Sequence, residues 1–80
     1  MPDDEILAAI TELEAEEHRL ERSAGGAALT DAERARLNEL NVRLDQCWDL
    51  LRQRRARRHA GLDPSEAEVR DPSVVEGYRQ

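Results

Sequence analysis

The chain has 80 residues, a formal net charge of −6, 38% charged side chains and one cysteine. Valine, isoleucine, leucine and phenylalanine supply only sixteen residues, too few to enclose a deep catalytic pocket. The single cysteine excludes an internal disulfide and a cysteine-based zinc site within one chain. No apolar run approaches the ~20 residues of a membrane helix, and the acidic start is unlike a signal peptide. We therefore expect one small, non-enzymatic, cytoplasmic domain without metal, cofactor or membrane contact.

The first predicted helix covers about residues 3–23. Its larger apolar side chains recur mostly at steps of three and four, which places them on one helix face. Asp3 or Asp4 can cap its start, and acidic side chains suit the positive end of the helix dipole. The pair Gly25-Gly26 is expected to end it. The residues of this stripe are Ile6, Leu7, Ile10, Leu13 and Leu20.

A second helix is predicted over about residues 31–59. Thr30 and Glu33 have the spacing of a capping box, in which each side chain pairs with the other residue's backbone N–H. Gly61 is expected to end the helix. The apolar stripe consists of Leu37, Leu40, Leu44, Cys47, Trp48 and Leu51.

The short turn predicted at residues 24–29 makes the two helices antiparallel. In this register Ile10 lies near Leu44 and Ile6 lies near Trp48, and the acidic start of the first helix meets the basic end of the second. The expected fold is all-α: an antiparallel two-helix hairpin over residues 1–60, followed by an irregular C-terminal tail over 61–80. Trp48 is predicted to be a buried packing anchor.

The tail contains one signal for local structure. The run from Asp63 to Glu66 has an N-cap aspartate followed by proline, so a short helical turn is predicted at 64–69, with Pro72 ending it. A hairpin this small leaves one side of each stripe uncovered, and two arrangements can cover it. Two hairpins can pack as a four-helix bundle, making a homodimer. Alternatively, the tail folds back through its apolar side chains, Leu62, Val69, Val74, Val75 and Tyr78.

The end of the second helix is the segment with most binding potential. Its five arginines are Arg52, Arg54, Arg55, Arg57 and Arg58. An arginine-rich helix can contact the phosphates of RNA, although no aromatic side chains are interleaved for base stacking. A structural interpretation is that these arginines form ion pairs within the protein assembly, with Asp3, Asp4, Glu5 and the acidic tail. We favour that interpretation, and keep an RNA- or ribosome-associated role as the alternative.

Two further groups of residues resemble functional sites. Carboxylates and a histidine cluster at Glu14, Glu17, His18 and Glu21, but the Glu-x-x-His spacing of carboxylate-bridged metal sites is absent. Glu17 interrupts the apolar stripe, so we expect it to pair with Arg34, Arg36 or Asn41. Cys47 lies mid-helix on the apolar stripe, which favours a packed core residue over a nucleophile.

Three segments resemble a known family. They are EEHRL (Glu16–Leu20), LDQCWDLLRQRRARR (Leu44–Arg58) and VVEGYRQ (Val74–Gln80). On these segments the chain resembles a family of small actinobacterial proteins classified as a domain of unknown function. The resemblance implies a cytoplasmic helical hairpin of about this length that includes the tail. It brings no established activity, cofactor or binding residues. Because a small hairpin leaves its apolar stripes partly uncovered, the expected function is protein–protein association, first of all with a second copy of the chain.

Overall fold

A computed structural model describes residues 2–23 and 28–77 of the chain. Helix α1 spans Asp3–Ser23 and helix α2 spans Asp31–His59. A 3-10 helix follows at Pro64–Glu66, and a short helix α3 spans Pro72–Gly77. The two long helices pack against each other, and the tail contacts α2. The predicted all-α hairpin with a C-terminal tail is thereby confirmed. The predicted roles of Gly25, Gly26 and Tyr78 lie outside the described residues.

Both ends of α2 are fixed by local hydrogen bonds. At the start, the Thr30 hydroxyl accepts from the backbone N–H of Glu33 at 3.1 Å, and the Glu33 carboxylate accepts from the backbone N–H of Thr30 at 2.8 Å. At the other end Gly61 adopts a φ of 75°, in the left-handed region that favours glycine. This turn lets the backbone N–H of Leu62 donate to the Arg57 carbonyl at 2.8 Å, which closes the helix.

The core lies between α1 and α2 and extends under the tail. Leu40 has no exposed surface, and Ile6, Ile10, Leu44 and Leu50 form a buried cluster nearer the tail. Leu13, Cys47 and Leu51 are partly buried against this cluster. The tail contributes two further buried side chains, Ala67 and Val75.

The prediction that Trp48 is buried is wrong. Its side chain is 42% exposed, and Leu7 on α1 is 47% exposed, whereas Leu50, which lay outside the predicted stripe, is buried. The reason is that the core-facing side of α2 is turned toward Leu50. One residue of an α-helix covers about 100° of the helix circumference. Leu50 and Trp48 therefore point about 160° apart, and the tail packs on the side of Leu50.

The tail departs from its predicted form in two places. The turn predicted over 64–69 is a 3-10 helix confined to Pro64–Glu66, started by the Asp63 carboxylate, which accepts from the Ser65 N–H at 2.9 Å. Pro72 begins helix α3, where it was predicted to end the turn, because the first helical position needs no N–H donor. The tail does fold back along α2, but Leu62, Val69 and Val74 remain exposed.

Comparing two substitutions on α2 tests this assignment of buried and exposed positions. Leu40→Ala should lower the free energy of unfolding by about 2–5 kcal/mol, since it leaves a cavity at a fully enclosed position. Trp48→Ala should lower it by less, about 2 kcal/mol, although it removes a larger side chain, because 42% of that side chain is already in water. Urea denaturation of dilute protein, followed by circular dichroism, measures both values. A larger loss for Trp48→Ala than for Leu40→Ala would contradict the packing described here.

Candidate interaction surfaces

An ion-pair cluster holds the start of α1 against the end of α2. The Arg54 guanidinium donates from Nε to the Asp3 carboxylate, and Arg58 Nη2 lies 3.1 Å from the other carboxylate oxygen. Arg54 Nη1 also donates to the Pro64 carbonyl at 3.1 Å, so this arginine joins α1, α2 and the tail. The hydrogen bond from Arg54, and to a lesser extent that from Arg58, holds the pKa of Asp3 below its ordinary value.

A second cluster fixes the other end of the hairpin. Arg36 on α2 donates through Nε and Nη2 to the two carboxylate oxygens of Glu16 on α1, the Nη2 bond being 2.8 Å long. This two-point contact lowers the pKa of Glu16 and raises that of Arg36. Arg36 and Arg43 both also pair with Glu39, at 3.0 and 2.9 Å. The acid that pairs across the hairpin is therefore Glu16 rather than the predicted Glu17.

A polar cluster around one buried carboxylate, which we call the tail latch, attaches the tail to α2. It consists of Asp49, Arg70, Gln46 and Gln53. Asp49 is only 1% exposed, and its carboxylate accepts from Arg70 Nε at 3.0 Å and from Arg70 Nη2 at 2.9 Å. The Gln53 amide donates to Asp49 at 2.9 Å and to the Glu68 carbonyl at 2.7 Å, and Gln46 donates to the Arg70 carbonyl at 3.1 Å.

Sequence reasoning missed the latch. The available signal was a polar stripe on α2, since Gln46, Asp49 and Gln53 follow the three- and four-residue spacing of one helix face. Polar residues at that spacing usually mark a solvated face, and the partner that buries them, Arg70, is distant in sequence. The stripe is nevertheless the face on which the tail lies.

The arginine-rich end of α2 is largely neutralised within the chain. Arg54 and Arg58 pair with Asp3, and Arg57 lies 3.4 Å from the Glu66 carboxylate in the tail. Arg52 and Arg55 have no ion pair or hydrogen bond within residues 2–23 and 28–77. These ion pairs match the expected pairing of the arginines with Asp3 and the acidic tail. The expected pairs with Asp4 and Glu5 do not appear among the described residues.

One face of the hairpin, which we call the open face, presents Leu7 and Trp48 to solvent. Ala9 and Gln46 line a groove on the tail side, together with Val69. Leu7 is two positions before Ala9, and Trp48 is two positions after Gln46. Two positions turn an α-helix by about 200°, so Leu7 and Trp48 point away from the tail-side groove. Interpolation between the Asp3–Arg54 and Glu16–Arg36 pairs places Leu7 level with Trp48 along the hairpin.

The tail-side groove contains the cysteine. It has a volume of about 450 Å³, and Ile6, Leu13, Leu50 and Cys47 form part of its wall. Burial raises the pKa of the Cys47 thiol, which keeps it protonated and weakly nucleophilic. Cys47 packs against the hydrophobic cluster. The described residues contain no group of three potential ligands that could hold a metal ion, and none of their helices is long and apolar enough to span a bilayer.

Comparison with known proteins identifies the family. A family described as "Protein of unknown function (DUF2630)" matches residues 2–80, and therefore includes the tail as well as the hairpin. The chain belongs to this family. Uncharacterized proteins of Mycobacterium tuberculosis and Mycobacterium bovis are 48% identical to it over 77 residues, which covers 95% of this chain and 88% of each relative. No solved structure matches. These findings confirm the resemblance to a small actinobacterial family.

The tail latch can be tested by removing its cation. Arg70→Gln leaves the Asp49 carboxylate buried without its charged partner, which typically costs about 3–5 kcal/mol. The tail can limit this cost by undocking, since water then reaches Asp49. We therefore expect amide hydrogen exchange to accelerate in the tail of the variant, with α1 and the centre of α2 remaining protected. The matched control is Arg34→Gln, which removes an exposed ion pair 3.9 Å long and a hydrogen bond to the Leu29 carbonyl and should leave exchange in the tail unchanged. Unchanged tail exchange in Arg70→Gln would contradict the latch.

The lowered pKa values of Asp3 and Glu16 predict an acid-dependent loss of stability. Because folding lowers both pKa values, the ionised carboxylates stabilise the fold fully above their ordinary pKa values of 3.8 and 4.5. This stabilisation is lost as the pH falls through the lower pKa values of the folded state. The melting temperature should therefore decline below about pH 4.5. Asp3→Asn should flatten the decline, whereas Asp4→Asn should not, because Asp4 is exposed and has no ion pair among the described residues. Equal pH profiles for wild type and Asp3→Asn would refute this origin.

Proposed function

We propose that the protein is a non-enzymatic, cytoplasmic association module whose first partner is a second copy of itself, bound through the open face. The observation that carries the proposal is the exposure of Trp48 and Leu7 at the same level of one hairpin face. Together they offer an exposed apolar surface in a chain with few large apolar residues. Tryptophan is enriched among the residues that dominate binding energy at protein interfaces.

The position of the tail supports a second copy as the occupant. The tail already packs on one side of the hairpin through Ala67, Val75 and the latch. The smallest Cα dimension is only 15 Å, so no further layer of the described residues covers the open face. Face-to-face packing of two hairpins gives a four-helix bundle, the usual way in which amphipathic hairpins complete their core. Because the two contacting faces are then identical, a twofold axis generates the whole interface.

Charge complementarity favours the same arrangement. A twofold axis parallel to the helices places α1 of one copy antiparallel to α2 of the other, which repeats the relation between the helices of one hairpin. The acidic start of α1, with Asp4 and Glu5 exposed, then lies beside the arginine-rich end of the partner's α2. The two symmetry-related pairs of opposite charges, which lie at the same end of the bundle, favour this alignment over a slipped one.

The alternative, an RNA- or ribosome-associated role, has less support. Three of the five candidate arginines pair with Asp3 or Glu66, so a phosphate contact would have to displace acidic partners in the same chain. Arg52 and Arg55 alone provide few of the phosphate contacts that give nucleic-acid binding its affinity.

The oligomeric state over a concentration series tests the proposal. Wild-type protein should change from monomer to dimer in sedimentation velocity, and Trp48 emission should shift to the blue as the dimer forms. Trp48→Ala and Leu7→Ala should each raise the dimer dissociation constant by about tenfold or more while keeping the helical circular dichroism. The matched control is Val74→Ala, which truncates a 46% exposed apolar side chain on the tail and should leave dimerisation unchanged.

Two results would overturn this function. One is a monomer at every concentration reached, with red-shifted Trp48 emission throughout. The other is a dimer that Val74→Ala weakens as much as Trp48→Ala does, because the contact would then lie on the tail side. Salt-dependent retention of RNA by the wild type, lost in an Arg52→Gln/Arg55→Gln variant, would favour the alternative role.

A further inference from the structure

A groove runs along the side of α2 that faces away from α1. Its volume is about 740 Å³, within the range of roughly 300–1,000 Å³ typical of small-molecule sites. Ala56, Ala60 and Leu62 give it an apolar floor, and no residue of α1 contributes to its wall. Leu62 remains exposed beyond the end of α2 although it is a large apolar residue. The floor can therefore contact an apolar group of a ligand.

Two arginines flank this floor. Arg52 and Arg57 both line the groove and are five positions apart on α2, which separates them by about 140° around the helix axis. They therefore approach the groove from opposite sides. Arg52 has no ion pair among the described residues, and the pair between Arg57 and Glu66 is long, at 3.4 Å, and exposed. Exposed pairs of this kind contribute little stability, so an anion can displace Glu66 from Arg57.

The other charged groups of the groove are already matched. Arg70 also lines the wall, but its guanidinium is engaged by the buried Asp49 carboxylate, and Gln53 bonds to the same carboxylate. The unmatched charge therefore comes from Arg52 and, once Glu66 is displaced, from Arg57. A groove with two available guanidinium groups is distinctive in a chain whose net charge is −6.

We propose that this groove binds a small phosphate monoester that carries an apolar group. A phosphate monoester is close to a dianion at neutral pH and presents three terminal oxygens, so two arginines on opposite sides can each donate to it. A carboxylate offers only two oxygens and one charge, which is a poorer match. The apolar group of the ester lies on Ala56, Ala60 and Leu62. Neither Leu7 nor Trp48 lines the groove, so the proposal does not rest on self-association, but Arg52 lies one helical turn from Trp48 at the edge of the open face.

Titration with phenyl phosphate, followed by NMR, tests the proposal on the full-length protein. The groove is open, and a ligand of this size should bind with a dissociation constant on the order of 1 mM. Saturable shifts should appear at the side-chain Nε–H signals of Arg52 and Arg57 and at the amides of Ala56 and Ala60. Inorganic phosphate, which lacks the apolar group, should bind at least about fivefold more weakly, and benzyl alcohol should give no saturable shifts.

Two matched variants locate the site. Arg52→Gln removes a guanidinium with no partner within the described chain, so the fold should persist, and phenyl phosphate should bind about tenfold more weakly. Arg55→Gln removes an equally exposed arginine of the same helix end that does not line the groove, and binding should stay within about twofold of wild type.

Three outcomes would overturn the proposal. Equal losses in the two variants would show only a general attraction to positive charge. Inorganic phosphate binding as tightly as phenyl phosphate would remove the role of the apolar floor. Tighter saturable binding of a glutamate-rich peptide than of phenyl phosphate would assign the groove to an acidic protein segment instead.

Discussion

The buried carboxylate of Asp49 is the constraint on which the arrangement of the chain depends. A charge at that depth is tolerated only with a close counter-charge and additional hydrogen bonds, and Arg70 and Gln53 supply them. Arg70 is 21 residues away in sequence, so satisfying Asp49 requires the tail to return along α2. Gln46 and Gln53 then bind the carbonyl groups of Arg70 and Glu68, which fixes the position of the tail backbone.

The position of the tail determines which apolar residues are buried. With the tail on the side of Leu50, that residue enters the core, and Ala67 packs in the same cluster. Trp48 is then left on the opposite side, level with Leu7. The chain therefore uses polar contacts to hold its tail and leaves its largest apolar side chain partly in water. A partner that covers an exposed tryptophan gains binding free energy by burying the indole. The proposed dimer follows from this argument.

The sequence predicted the parts of the fold that depend on local or repeated signals. The apolar period gave two helices, the capping box gave the start of α2, and the charge pattern gave the meeting of Asp3 with the arginine-rich end. The side of α2 that faces the core was not predictable, because the apolar residues around Trp48 point in several directions around the helix. Choosing between Leu50 and Trp48 requires knowing which side the tail covers, and the contact that decides it is non-local and polar. The candidate surfaces were predictable only to the same extent. The sequence identified the arginine-rich segment, but only the structure shows that Arg54 and Arg58 are ion-paired and that Arg52 is not paired among the described residues.

The two candidate surfaces differ in how closely they are coupled to the latch. The groove shares Arg70, Asp49 and Gln53 with it, so a ligand between Arg52 and Arg57 would lie against the side chains that hold the tail in place. Displacing Glu66 from Arg57 would release one contact of the tail, while the bonds between Arg70 and Asp49 would keep the remainder docked. The open face shares no side chain with the latch. Binding in the groove can therefore alter how firmly the tail is held while Leu7 and Trp48 stay available to a second copy. The two surfaces adjoin at Arg52, which lines the groove and lies one helical turn from Trp48.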